Sequence, residues 1–139
     1  MRTLWVMLGA LVVSILIMDL GMVYVTYDKL ASVTENALDS ALIAGINEED
    51  ATRGLIYINE DLAREAARQT FRDNLKLDAN LENDIMKKGT LQISIFNENR
   101  PYVQGEASTT VETMSPKLFG LEGIELNVKK TNFFLADYK

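Results

Sequence analysis

The sequence predicts an α+β protein. A long amino-terminal transmembrane helix continues as a stalk into a small head, where one helix packs on an antiparallel sheet of three to four strands. Three observations carry this reading. An apolar block runs from Leu4 to Val25, broken by Gly9, Ser14, Asp19 and Gly21. The pattern then keeps a helical spacing out to Gly45. After Gly89 the hydrophobic period changes to two. The boundaries read as a membrane anchor over 1–27, a helical stalk over 28–46 and an extracytoplasmic head over 47–139.

The apolar block is long enough to cross roughly 30 Å of hydrocarbon. Arg2 and the short polar start would suit a signal peptide, but small residues before a cleavage point are lacking. The expectation is therefore an uncleaved anchor, with the amino terminus cytoplasmic and the rest outside. Trp5 would mark the inner interface, and Tyr24 and Tyr27 the outer one. Met7, Met18 and Met22 fall in the span and read as lipid-facing or packing residues. Gly9 is a candidate packing position in the same span.

Asp19 is the one acid inside the greasy run. It lies about 22 Å along the helix from Leu4, nearer the outer surface than the middle. Nothing in its own helix satisfies it, because Val12, Ile15, Leu16, Met22 and Val23 surround it. Two readings stay open: a carboxylate at the water interface, or one paired with a cation or amine on a neighbouring chain.

From the end of the span onward, Leu20, Tyr24, Tyr27, Ala31, Thr34, Leu38, Ala41 and Gly45 follow alternating steps of four and three. That is the seam of a helix packing lengthwise on another. Several positions are small, which allows close backbone approach. Asp28, Lys29, Glu35, Asn36 and Asp39 give a wetted face. Residues 28–46 would pack on the protein's own head, on neighbouring subunits, or on both.

In the head, Asn47 to Asp50 ends the long helix, and Gly54 to Ile58 reads as a connector with a brief strand. Asn59 is an N-cap, with Glu60 and Asp61 in the first turn of a helix reaching Leu75. Its stripe is Leu62, Ala63, Ala66, Ala67, Thr70, Phe71 and Leu75, which would cover the sheet. Leu77 to Lys88 is a polar connection with one helical turn over Leu81 to Met86. Leu91, Ile93 and Ile95 form a first strand, and Asn97, Glu98, Asn99 and Pro101 a turn. Val103, Gly105, Ala107, Thr109 and Val111 form a second strand, and Ser115–Pro116 opens a loop or turn of helix through Phe119 and Gly120. Ile124, Leu126 and Val128 form a third, which Asn132 to Tyr138 would extend or supplement.

Chemistry is expected to be absent. The chain has no cysteine and no histidine, so thiolate zinc sites, disulfides and imidazole bases are excluded. Its net charge of -6 argues against nucleic acid. No phosphate loop or nucleophile elbow occurs. The acidic run Asn47 to Asp50 lacks the alternating ligands and glycine of a calcium loop. No catalytic, cofactor-binding or metal-binding residue is therefore assigned, and no enzyme activity is expected.

The stretch DLGMVYVTYDKLASVTENALDSALIAGI, ending in Ala41-Leu-Ile-Ala-Gly45, resembles the TadE/TadG-like proteins of tight-adherence pilus systems. The later helix containing Phe71-Arg-Asp-Asn-Leu75 and the β-rich end are similar to members of that group. The resemblance implies a bacterial membrane-anchored structural or assembly subunit of a pilus-like envelope filament, in contact with lipid and with its own copies or other pilus subunits. One departure is that type IV pilins carry a glycine cleavage point and an early glutamate, whereas only Met1, Arg2 and Thr3 precede this apolar run. The alternative is a single-pass sensor whose head binds an extracytoplasmic ligand.

Overall fold

A computed structural model describes residues 1–47, 49, 51, 53–54 and 56–134. Its first element, α1 (Arg2–Gly45), is one unbroken helix. No proline interrupts it, and the first proline of the chain is Pro101. It contains a segment apolar and long enough to cross a membrane, by length and composition. The helix stops where Ile46 turns extended, with φ -93° and ψ 126°.

The chain then returns alongside its own end. Ile46 and Ile58 form an antiparallel bridge, and the Asn59 amide donates to the Gly45 carbonyl at 2.7 Å. Asn97, in the turn between the first two strands, receives the Ile58 amide at 2.8 Å and donates back to its carbonyl at 3.1 Å. Ile58 is thereby held fully buried. Asn59 caps α2 (Glu60–Leu75) by accepting from the Asp61 and Leu62 amides. Glu60 and Asp61 sit in the first turn, where the helix dipole favours acids.

The sheet has the order β1 (Met86–Phe96), β2 (Tyr102–Val111), β3 (Ile124–Phe133), all antiparallel. On β2, Val103, Gly105, Ala107, Thr109 and Val111 form the buried face, as the period-two pattern requires. A bulge interrupts β1 between Lys87 and Thr90. A five-residue helix, α3 (Met114–Leu118), joins β2 to β3.

Residues Leu30 to Gly45 of α1 are the centre of the head. Leu30, Val33, Ala37, Leu38, Ala41 and Leu42 join Ala63, Ala67, Phe71 and Leu75 of α2 and Val103, Ala107, Leu126 and Val128 of the sheet in one core. The layers are α2, α1, then the sheet, so α1 is covered on both sides. The sequence assigned the cover of the sheet to α2, but α2 meets the sheet only beside β1. The larger share falls to α1, because α2 spends its alanine face on α1.

Close approach explains the small residues. A Cβ on Gly45 would stand 2.7 Å from Ile58 Cγ2 and 3.0 Å from Ala63 Cβ. One on Gly105 would stand 2.8 Å from Leu38 Cδ2. Thr70 of α2 donates to Ser40 of α1 at 2.9 Å, across the face where the two helices meet.

Two local expectations are corrected. Leu62 lies outside the core and is exposed, because the stripe of α2 that meets α1 is Ala63, Ala67, Phe71 and Leu75. Leu81 to Met86 forms no helical turn. Asp78 Oδ1 takes the Asn80 and Glu82 amides and Asn83 Oδ1 takes the Ile85 and Met86 amides, so side chains compete successfully with helical bonding. As expected, Asn132 and Phe133 extend the third strand, and any further extension over 135–139 lies outside the described residues.

Candidate functional site: the apolar helix and its Asp19 clasp

The apolar half of α1 stands clear of the head. From Leu4 to Met18 its large side chains are exposed, apart from a half-buried Ile15. Gly9 has open space around its Cα, with nothing within reach of an added Cβ. It makes no packing contact with another element among the described residues.

Asp19 is the first fully buried residue of α1, at 8% exposure. Its Oδ1 accepts from the Met114 amide at 3.1 Å and its Oδ2 from the Ser115 amide at 2.6 Å. These are free amides at the start of α3, the groups a helix leaves without internal partners. The hydroxyls of Thr113 and Ser115 are buried beside the carboxylate. The expectation that Asp19 needs water or a neighbouring chain is therefore corrected. Its partner is in the same molecule, 96 residues further on at Ser115. No property of residues 12–23 could disclose it.

The clasp also fixes how the sheet lies on the helix. Leu38 touches Gly105, and Asp19 touches Met114. The nineteen-residue helical interval between the first members of those pairs spans about 28 Å. The nine-residue interval between the second members, as extended chain, spans about 30 Å. The two lengths match, so the chain from β2 into the start of α3 runs beside α1 from Leu38 down to Asp19. Asn132 of β3 donates to Asp39 at 2.6 Å near the upper end.

The seam read from sequence divides in two. Thr34, Leu38, Ala41 and Gly45 are buried, and Ala31 is half-buried. Leu20, Tyr24 and Tyr27 point away from the head, with Leu20 68% and Tyr24 73% exposed. The face that the head covers starts one residue earlier in each turn, at Asp19, Met22, Val23, Thr26 and Leu30. One residue is about 100° of rotation, so Leu20, Tyr24 and Tyr27 form a separate, unoccupied aromatic and aliphatic stripe. Starting the register at the acid itself would have found the covered face.

Compared with known proteins, the chain matches no family model, no curated protein and no solved structure. Among the described residues no three acidic side chains converge to hold a metal. A groove of about 420 Å³ between α2 and β1 is lined by Arg64, Arg68, Leu91, Gln92, Ile93 and Ser94. Both guanidiniums are engaged, Arg64 with Glu60 and Arg68 with the Ala79 carbonyl, each at 3.3 Å.

Proposed function

We propose that the protein is a membrane-anchored structural or assembly subunit of a pilus or pilus-like envelope filament, of the TadE/TadG-like kind that its sequence resembles. Its amino terminus is cytoplasmic and its head is displayed outside. It works by packing α1 against copies of itself or other pilus subunits, and it carries no catalytic site.

The observation that carries this reading is the division of α1. One helix serves as the greasy anchor, offers the free stripe of Leu20, Tyr24 and Tyr27, and then becomes the core of the head. A rigid helix of this kind transmits the position of its anchor directly to the head. The clasp also speaks for a retained anchor. A signal peptide is discarded after export, and cleavage beyond Asp19 would strip the Met114 and Ser115 amides of their acceptor.

Electron microscopy of purified full-length protein, before and after detergent removal in the presence of lipid, tests the proposal. Filaments or discrete oligomers of fixed size are expected. Protein that remains strictly monomeric in lipid overturns it.

A further inference from the structure

The segment around α3 carries an unusual surface. Met114, Leu118, Phe119 and Leu121 are all exposed, Phe119 at 77%. The head's other large side chains on the neighbouring strand are mostly buried, Val103 and Val111 among them. Four large apolar side chains within eight positions are more than the scatter of single exposed residues normal on a soluble surface. The segment is also firmly placed. Asp19 clasps its start, Lys117 pairs with Glu112 at 3.1 Å, and Glu122 just beyond pairs with Lys88.

Its position decides what covers it. The clasp ties α3 to the level of α1 at which the exposed apolar run gives way to head contacts. On the face of α1 that the head covers, the exposed run from Arg2 to Met18 is only about 25 Å long, a few ångströms short of the roughly 30 Å hydrocarbon layer, while the opposite face stays exposed and apolar through Leu20, Tyr24 and Val25. A span that is short must draw the bilayer inward or enlist further apolar surface at its edge. The exposed side chains of α3 supply such surface at that depth.

We propose that Met114, Leu118, Phe119 and Leu121 form a foot that dips into the outer leaflet of the bilayer, with Asp19 holding the foot against the anchor. The inference rests on the membrane-anchor reading given above. The occupant is the apolar edge of the lipid layer rather than its charge. Residues 112–125 hold Glu112, Glu122 and Glu125 against Lys117 alone, so attraction to anionic headgroups has no cluster of cations to act on. Lys117 can lay its stem along the apolar surface and keep its ammonium in water. Tyr24, about 8 Å further along the helix, then falls among the headgroups.

Fluorescence quenching by brominated lipids tests the foot, because the chain has a single tryptophan, Trp5. Wild-type protein in vesicles of a zwitterionic lipid reports on the span. A Trp5→Phe/Phe119→Trp variant reports on the foot, at a site exposed enough to accept the larger ring. An interfacial depth of about 5–10 Å predicts that bromines near the headgroup end of the acyl chains remove about half of the position-119 emission, and bromines near the chain end much less. Adding anionic lipid should leave this unchanged. Quenching of Trp5 without quenching at position 119 overturns the foot and spares the anchor. No quenching of Trp5 overturns the anchor reading and the foot with it. A blue shift at position 119 without quenching, growing with protein-to-lipid ratio, assigns the patch to a second copy and also overturns the foot.

Discussion

Replacing Leu38 by Ala examines whether the upper half of α1 is the core of the head. Leu38 is fully buried and its Cδ2 lies against Gly105. Truncating such a leucine costs its transfer energy and leaves a cavity, about 3 kcal/mol together. For a head of this size that lowers Tm by roughly 12–20 °C. Gly105→Ala is the reciprocal test. Its new methyl would meet Leu38 Cδ2 at 2.8 Å, and overpacking of that kind costs about 1–2 kcal/mol. In Leu38→Ala/Gly105→Ala the methyl enters space the leucine has vacated. The double variant should therefore be more stable than the sum of the single effects by about 1 kcal/mol. Near-ultraviolet circular dichroism during thermal unfolding in a mild detergent reads the head, because Tyr102 stacks on Phe96 with centroids 4.5 Å apart. Leu20→Ala, on the free stripe, is the control and should stay within about 0.5 kcal/mol of wild type. Strict additivity, or a Leu38→Ala cost no larger than the Leu20→Ala control, would refute the packing argument.

Three other perturbations have defined outcomes. Asp19→Asn retains one acceptor oxygen for two amides, and Asp19→Leu retains none; amide exchange at Met114 and Ser115 should quicken in that order while the β1–β2 amides stay protected. Asn59→Ala removes the acceptor of two α2 amides, and should lower head stability by about 1 kcal/mol in the same unfolding assay. The hydrogen bond from Lys88 holds the Glu122 carboxyl below its ordinary range, and the same bond raises the Lys88 ammonium. The carboxyl's contribution is thus present above the ordinary glutamate range and fades as pH falls through its lowered value. The ammonium's is complete below the ordinary lysine range and fades as pH rises through its raised value. Both groups are exposed, so the effect is small, and Lys88→Met should remove the pair's contribution from both limbs of the stability–pH curve.

What sequence could disclose follows the range of each interaction. The alternation of Val103, Gly105, Ala107, Thr109 and Val111 is a local signal, and it marks the buried face of β2 correctly. The Asn59 cap is equally local, an acceptor followed by two acids. The seam was legible only from Thr34 upward. Below that point Leu20, Tyr24 and Tyr27 outcompete Asp19, Val23 and Thr26 on hydrophobicity, although the less greasy face is the one that is covered. The clasp was illegible because its donors are backbone amides, which every residue but proline possesses. Asx turns at Asp78 and Asn83 displaced an expected helical turn through side-chain bonds that periodicity does not register.

Assembly through the free stripe is the claim on which the functional reading stands, and the absence of native cysteine makes it directly measurable. Single-cysteine variants at Leu20, Tyr24 and Tyr27, and at Ser32 and Glu35 on other exposed positions of the helix, can be treated with a short bis-maleimide in native membranes. The account predicts intermolecular products at 20, 24 and 27 and little at 32 and 35. Equal yields at all five positions, or none at any, would contradict it.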